Sequence, residues 1–204
     1  MPLRTHALVL AAGQSRRFGG GKLHALYQGR PLLSYVVEVV QLARTRGLIE
    51  GGHVVVADHD ERGLALAQAG GLEAIINHAP EQGLSHSLRL GLAALEASAP
   101  GEAGAALVFL ADQPLVRLDV VEALVAAGGD QIVRPRYQGH PDAPGHPVLL
   151  PRSVWEHARR LEGDRGFSAL LSSSLPETLT LDVTGDNPDV DTLADLEALE
   201  GFSR

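Results

Sequence analysis

The stretch that decides the fold is Ala7-Leu-Val-Leu-Ala-Ala-Gly-Gln-Ser-Arg-Arg-Phe-Gly-Gly-Gly-Lys22. Residues 7–12 are all apolar, a pattern typical of a strand that is buried on both faces of a parallel sheet. Gly13 then opens a polar segment, residues 13–30, which we predict to be a loop. Because ligands of open α/β sheets bind outside the carboxyl ends of the strands, this loop is predicted to line a ligand site.

Strand-like and helix-like segments alternate along the rest of the chain. Further strands are predicted at residues 54–57, 74–77, 105–110, 131–134, 147–150 and 178–183. Helices are predicted from Pro31, with an apolar face through Leu42, and over residues 62–69, 83–95, 116–127, 151–161, 167–172 and 193–199. This order predicts a three-layer α/β fold with a mostly parallel sheet, and residues 137–146 are predicted to cap a small antiparallel hairpin. Since no repeat or linker interrupts the pattern, residues 1–204 are predicted to form a single domain.

The composition excludes several classes of protein. With 204 residues, 45% of them apolar and 21% charged, the chain is long enough to bury a sizeable core. The absence of cysteine excludes a disulfide scaffold and thiolate-ligated metal sites. No segment reaches the roughly 18 apolar residues of a membrane span, and the N-terminus lacks a secretory pattern. We therefore expect a cytoplasmic protein without a membrane partner.

Charge is distributed unevenly along the sequence. The 17 Lys+Arg and 25 Asp+Glu residues give a net charge of −8, which argues against a nucleic-acid partner. Residues 1–46, however, contain seven Arg or Lys residues and one acid, Glu38. An anionic ligand is therefore expected near the N-terminal segment.

Residues 13–22, which we call the glycine-rich loop, combine the groups that bind polyphosphates. It is not a P-loop, because Arg16 stands where that motif needs glycine and Leu23 where it needs Ser or Thr. The dinucleotide fingerprint also fails, since His24 replaces its third glycine. What remains is a set of backbone N–H donors, two arginines and Lys22, which is the only lysine in the chain. The alternative is an exposed, flexible basic loop.

Three later segments carry polar side chains at predicted strand or helix ends. Ser85 and Ser87 follow Gly83 at a predicted helix start. Their hydroxyl groups are placed either to bind a base or ribose or to cap the helix. Asp112 follows an apolar strand and is placed either to bind Mg²⁺ or, near the proline turn, to cap the next helix. Asp189 and Asp191 are two residues apart and would point to the same side if their segment is extended; the alternative is that Asp191 or Thr192 caps the last helix. Beside a polyphosphate loop, a magnesium site with two aspartates is the better interpretation.

Residues 10–22 resemble the signature LAAGxSxRxGxxK of nucleotidyltransferases, closest to the molybdenum cofactor branch. The resemblance continues, in the expected order, through residues 83–92, 110–114, 145–148, 163–166 and 189–192. It implies a three-layer Rossmann-like nucleotidyltransferase fold and transfer of NMP from an NTP to a phosphorylated acceptor, with release of pyrophosphate. The Ala11-Ala12-Gly13 form resembles the CTP-using branch more than the GTP-using one.

The resemblance also implies roles for individual residues. Arg16 and Lys22 would hold the triphosphate and act in catalysis, and Asp112 would bind Mg²⁺ together with Asp191, or alternatively Asp189. Gly145, His146 and Pro147 would lie on the acceptor side. The nucleotide-binding set expected from the motifs is Leu10, Ala11, Ala12, Gly13, Ser15, Arg16, Lys22, Asn77, Gly83, Ser85 and Ser87.

The substrates implied are CTP, in preference to GTP, and a phosphorylated pterin-type acceptor, molybdopterin or the molybdenum cofactor. A phosphate acceptor is already ionised near neutral pH, so the lack of an obvious catalytic histidine is consistent with this chemistry. The alternatives are a sugar-phosphate nucleotidyltransferase and a non-catalytic nucleotide- or cofactor-binding module that serves a molybdoenzyme partner.

Overall fold

The computed structural model describes residues 3–142, 145–163 and 177–199. Its strands are β1 Thr5–Ala11, β2 Leu26–Tyr27, β3 Arg30–Pro31, β4 Gly52–Ala57, β5 Glu73–Asn77, β6 Ala105–Leu110, β7 Ile132–Tyr137, β8 Val148–Pro151 and β9 Thr178–Val183. Its α-helices are α1 Leu32–Thr45, α2 Glu61–Ala69, α3 Leu84–Ser98, α4 Leu118–Ala126, α5 Trp155–Arg159 and α6 Leu193–Ala198. The helix predicted at residues 167–172 lies outside the described residues.

Seven strands of the described chain form one sheet in the order β5-β4-β1-β6-β8-β7-β9. Strand β1 pairs in parallel with both β4 and β6, and the β4–β5 and β7–β9 pairs are also parallel. Strand β8 is antiparallel to both of its neighbours, β6 and β7. The prediction of a mostly parallel α/β fold with a small antiparallel hairpin is therefore confirmed, and the hairpin is part of the main sheet.

Both faces of the sheet are covered by helices, which explains the continuous apolar run in β1. Val9 and Leu107 belong to one apolar cluster, which also contains most buried residues of α1 and all those of α4. Leu8 and Val108 belong to a second cluster, with the buried leucines of α3 and the buried residues of α5. Because successive side chains alternate between the two faces, the stretch of β1 from Ala7 to Ala11 is apolar at every position.

Two segments differ from the sequence-based prediction. Residues 13–30, predicted as a loop, contain two 3₁₀ turns and the start of the short antiparallel ribbon β2–β3. Gln28 and Gly29 both have positive φ, at 47° and 77°, as a two-residue hairpin turn with φ positive at both positions requires. Pro151 was predicted to begin a helix; it is extended and pairs with Ala105 at the end of β8, a 3₁₀ turn follows directly at Arg152–Val154, and α5 starts at Trp155.

Within the described ranges, we find no helix with the combined length and apolar character that crossing a bilayer requires.

The close parallel pairing of β1 and β4 generates a test of the fold. A Cβ atom at Gly52 would meet the Cβ and the carbonyl oxygen of Ala7, each at 2.8 Å, whereas a Cβ at Gly51 meets nothing within 4 Å. We expect Gly52→Ala to lower the free energy of unfolding by about 1–3 kcal/mol, because a backbone atom has to move. Gly51→Ala is the matched control and should change it little. Urea denaturation followed by circular dichroism measures both, and equal stability of the two variants would contradict the pairing.

Candidate active site

A cleft of ≈ 380 Å³ opens at the carboxyl ends of β1 and β6. We call it the main cleft. Its walls come from the glycine-rich loop, the start of α3, the turn after β6 and the segment before α6. It is lined by Leu10, Ala11, Ala12, Gly13, Gln14, Ser15, Arg16, Arg17, Lys22, Leu23, Pro80, Glu81, Gly83, Leu84, Ser87, Leu110, Ala111, Asp112, Asp189 and Asp191. Most of the residues predicted from the sequence as a site therefore lie together.

Lys22 is the buried cation of the main cleft, with 7% of the residue exposed. Its Nζ donates to Asp112 Oδ2 at 2.6 Å and to Asp191 Oδ1 at 3.1 Å. Burial alone would lower the pKa of Lys22, but the two carboxylates outweigh it and hold this pKa above its ordinary value. The side chain is therefore a positive charge shared between two segments that are distant in sequence.

The backbone of the glycine-rich loop directs Lys22 into the cleft. Gly19, Gly20 and Gly21 all have positive φ, at 88°, 97° and 64°, a region that other residues adopt only with strain. The three glycines thus allow two tight turns around residues 16–24. Arg17 forms an ion pair with Asp191, and Arg16, which lines the cleft, is exposed and has no ion-pair partner among the residues the structure describes.

Asp189 and Asp191 reach the same cleft because they flank the fully buried Val190 in an extended segment. The backbone N–H of Val190 donates to the carbonyl oxygen of Asp112 at 3.0 Å, which fixes this segment against the end of β6. The helix cap is Thr192, which forms a capping box with Asp195. Asp191 is therefore not the cap and faces the cleft.

Asp189 differs from the other two carboxylates in its partner. Its Oδ1 accepts a hydrogen bond of 2.7 Å from Nε2 of Gln113, a neutral amide. The residue borders the cleft, yet neighbouring protein atoms partly desolvate its carboxyl group. This desolvation, together with the negative charge of Asp112, raises the pKa of Asp189.

The oxygen donors of the main cleft fit a hard divalent cation. Asp112, Asp189 and Asp191 supply carboxylate oxygens, and Mg²⁺ typically takes one or two carboxylates and completes its shell with water and phosphate oxygens. Among the described residues, no three His, Asp or Glu side chains already form a metal-binding cluster. The donor set therefore fits a cation that arrives with a phosphate ligand better than one held by protein side chains alone.

Asn77 and Ser85 are placed differently from the prediction that they bind nucleotide. Both are completely buried and neither lines the main cleft. Asn77 Nδ2 donates to Oγ of Ser87 at 3.0 Å, and Ser85 Oγ donates to the carbonyl oxygen of Gly163 at 2.6 Å. They hold the start of α3, and only Gly83 and Ser87 of this group reach the cleft.

The predicted acceptor residues lie beside the main cleft and do not line it. A Cβ at Gly145 would approach the Pro135 carbonyl oxygen to 2.2 Å, so this position packs directly on β7. His146 is buried, precedes Pro147 through a cis peptide bond, and its carbonyl oxygen accepts a hydrogen bond of 2.9 Å from the hydroxyl of Tyr137. Burial, with a smaller effect of Arg134, lowers the pKa of His146 to about 4.

Three residues of the site were given no role of their own from the sequence, although Arg17 is one of the two arginines counted in the glycine-rich loop. Arg17 and Glu81 line the cleft, and Gln113 orients Asp189. The signal for Arg17 was its position beside Arg16 in the loop. Gln113 directly follows Asp112, but an uncharged amide gives no pattern that separates it from an ordinary turn residue.

Comparison with known proteins relates this geometry to a family. The family model of the MobA-like NTP transferase domain matches residues 7–178. The chain is 33% identical over 212 residues to 2-C-methyl-D-erythritol 4-phosphate cytidylyltransferase of Streptomyces coelicolor, covering 94% of this chain and 75% of that protein. It is 28% identical over 177 residues to bifunctional protein GlmU of Paracidovorax citrulli, covering 81% of this chain and 35% of that protein. The chain thus spans about a third of the length of GlmU.

Solved structures share the fold over nearly the whole chain. Rv0371c from Mycobacterium tuberculosis superposes with a TM-score of 0.83 at 28% identity, covering 98% of this chain and 100% of that one. Its complex with manganese gives a TM-score of 0.77 at 26% identity, with 96% and 97% covered.

The buried His146 predicts a loss of stability in acid. Its folded pKa of about 4 lies below the ordinary 6.5, so the unfolded chain binds more protons between these values. The part of the free energy of unfolding that depends on the protonation of His146 is about 3 kcal/mol. It is fully present above pH 6.5 and is lost as the pH falls towards 4. We expect His146→Leu to weaken the decline in the free energy of unfolding between pH 7 and 4.5, measured by urea titration.

The control for this measurement is His157→Leu at an exposed histidine of α5, which should keep the wild-type pH dependence. Burial also lowers the pKa of His53, so part of the decline remains in every variant. A decline as steep in His146→Leu as in the wild type would contradict the prediction.

Proposed function

The chain belongs to the family of MobA-like NTP transferase domains, and from this membership we propose that it is a magnesium-dependent nucleotidyltransferase. The proposed reaction transfers CMP from CTP to a phosphorylated pterin-type acceptor, molybdopterin or the molybdenum cofactor, and releases pyrophosphate. The observation that carries the proposal is the meeting of Lys22 with Asp112 and Asp191 in a cleft that Arg16 also lines. A magnesium–triphosphate complex needs both kinds of group, cations for the phosphates and carboxylates for the metal.

The chemistry requires one bond to form and one to break at the α-phosphorus of the nucleotide. An oxygen of the acceptor phosphate attacks, the bond to the β-phosphate breaks, and pyrophosphate leaves with its electron pair. The attacking oxygen is ionised near neutral pH, so no general base is needed and catalysis rests on alignment and on neutralising charge. When bound, Mg²⁺ would supply further charge neutralisation at the phosphate oxygens.

Different residues of this chain would bind the phosphates and hold the cation. Arg16, which is exposed and lines the cleft, would donate two parallel hydrogen bonds to phosphate oxygens. Lys22 would exchange its carboxylate partners for the triphosphate, and the backbone N–H groups of residues 11–15 would add donors. Asp112 would hold the cation together with Asp191 or Asp189.

Two features support the proposed nucleotide and acceptor. Ala12, buried and lining the cleft, places a methyl group where glycine would leave more room, and this favours a pyrimidine over a purine. A cytidylyltransferase is also among the relatives, with 33% identity. For the acceptor side we propose Gly145, His146 and Pro147, whose neighbour Asn187 contacts the turn after β6.

A second candidate is a nucleotidyltransferase that acts on a sugar phosphate or polyol phosphate. The 33% identity to an erythritol-phosphate cytidylyltransferase over 94% of this chain favours it. A non-catalytic module that binds a cofactor for a molybdoenzyme partner is less well supported, because binding alone needs fewer carboxylates for a metal than the cleft provides. We further propose that the protein acts in the cytoplasm on these small molecules and not on nucleic acid.

The deciding experiment measures pyrophosphate release with each common NTP, with Mg²⁺ or Mn²⁺, and with molybdopterin, the molybdenum cofactor or a polyol phosphate as acceptor. We expect release with CTP, a divalent cation and the pterin acceptor together. Release with the polyol phosphate alone would favour the second candidate. Nucleotide binding without release for every acceptor tested would contradict catalysis.

Lys22→Ala tests the proposed role of the lone lysine. It removes the charge that would neutralise the triphosphate in the transition state, so we expect kcat to fall by about 100–1,000-fold. The fold should persist, because the Asp112 carboxylate is partly exposed and Arg17 still pairs with Asp191. Arg46→Ala, which removes an exposed cation at the end of α1, is the control and should retain wild-type kcat. Pyrophosphate release by Lys22→Ala at the wild-type rate would contradict the assignment.

A further inference from the structure

A chain of hydrogen bonds joins the segment around His146 to the carboxylate of Asp189. The carbonyl oxygen of His146 accepts from Asn187 Nδ2 at 3.3 Å, and the same Nδ2 donates to Gln113 Oε1 at 3.2 Å. Gln113 Nε2 in turn donates to Asp189 Oδ1 at 2.7 Å. Gln113 and Asn187 are each only 5% exposed.

The direction of these hydrogen bonds is fixed at the end of the series formed by the carbonyl oxygen of His146. A backbone carbonyl can only accept, so it selects the orientation in which the amide nitrogen of Asn187 faces it. The Asn187 nitrogen then meets the oxygen of Gln113, which leaves the Gln113 nitrogen to face Asp189. Reversing Asn187 would set oxygen against oxygen at both of its contacts, and reversing Gln113 would set oxygen against oxygen at Asp189 and nitrogen against nitrogen at Asn187.

The contact with Asp189 is not required to hold its segment in place. The bond from the Val190 N–H to the Asp112 carbonyl oxygen, the buried Val190 side chain and the capping box of Thr192 already fix residues 190–195. What the Gln113 amide adds is a fixed orientation for the side chain of Asp189.

The three aspartates of the main cleft are therefore held in different ways. Asp112 and Asp191 are paired with cations of the glycine-rich loop, whereas Asp189 has no ion-pair partner within the described part of the chain. An amide orients this carboxylate without cancelling its charge. Its negative charge remains available to a bound cation.

We propose that Gln113 and Asn187 are positioning residues, which hold the Asp189 carboxylate oriented in the main cleft and connect it to the segment at His146. This role rests on the proposed function, because it assumes a divalent cation bound with the nucleotide. Neither residue touches the reacting atoms. They act through Asp189, as groups outside the ligand set of a metal commonly do.

The test compares the affinity for CTP with and without Mn²⁺, using isothermal titration calorimetry in Mn²⁺ and in EDTA. The ratio of the two dissociation constants measures how strongly the cation supports nucleotide binding. In Gln113→Met, which keeps the length of the side chain, we expect this ratio to fall by about tenfold, with the value in EDTA unchanged. Asn187→Leu leaves Gln113 in place but frees its amide to rotate, and should lower the ratio less.

Two further variants separate positioning from a general loss of structure. Gln113→Asn keeps a buried amide but is too short to make both bonds, and should behave like Gln113→Met. Gln41→Met makes the same exchange at an exposed glutamine of α1 and should retain the wild-type ratio. Circular dichroism confirms that each variant is folded at the temperature of the titration.

The outcomes distinguish this role from the function on which it rests. If the wild-type protein binds CTP more tightly with Mn²⁺ and the Gln113 variants show the same ratio, the positioning role is wrong and the proposed function stands. If affinity is lost equally in Mn²⁺ and in EDTA, Gln113 is merely structural. If the wild-type protein binds no CTP, or binds it equally with and without Mn²⁺, both proposals are overturned.

Discussion

The contact of the Lys22 ammonium with Asp112 and Asp191 is the interaction on which the site depends. It joins the first loop of the chain to a carboxylate that follows β6 and to another that precedes α6. The sheet makes this meeting possible, because β1 and β6 are parallel neighbours and their carboxyl ends lie side by side. Two carboxylates brought this close repel each other, and a buried lysine offsets that repulsion. A metal ion that binds these carboxylates has to displace Lys22 from them. An anion that binds Lys22 has to displace the carboxylates.

Sequence patterns predicted the features that depend on local chemistry. The all-apolar run of β1 follows from burial on both faces, and the placement of residues 13–22 and of Asp112 at one edge follows from parallel pairing. Contacts between distant segments could not be predicted in this way. The orientation of Ser85 depends on the carbonyl of Gly163, and that of Gln113 on residues more than seventy positions away. A polar residue at a helix start points inward or outward according to such partners, which local spacing does not reveal.

The net charge of the chain conceals a division between a cationic and an anionic segment. The N-terminal segment supplies Arg16, Arg17 and Lys22, and the segment before α6 supplies Asp189 and Asp191. A net charge of −8 describes neither end. Folding brings the two signs together in a cleft of small volume, where each changes the affinity of the other for ligands. Either set alone would bind a simple ion, whereas the combination favours a ligand that carries both a polyphosphate and a metal.

Strand β8 reverses the direction of the sheet, and this has a consequence for how the site can diverge. Since β7 and β8 form a hairpin, the residues that join them emerge at the same edge as the carboxyl ends of β1 and β6. The hydroxyl of Tyr137 bonds to the carbonyl of His146 and closes the base of that hairpin. Residues added or removed at its tip therefore change neither the register of β8 on β6 nor the position of Asp112. The connection between β7 and β8 can therefore change in length while the glycine-rich loop and Asp112 keep their places at the ends of β1 and β6.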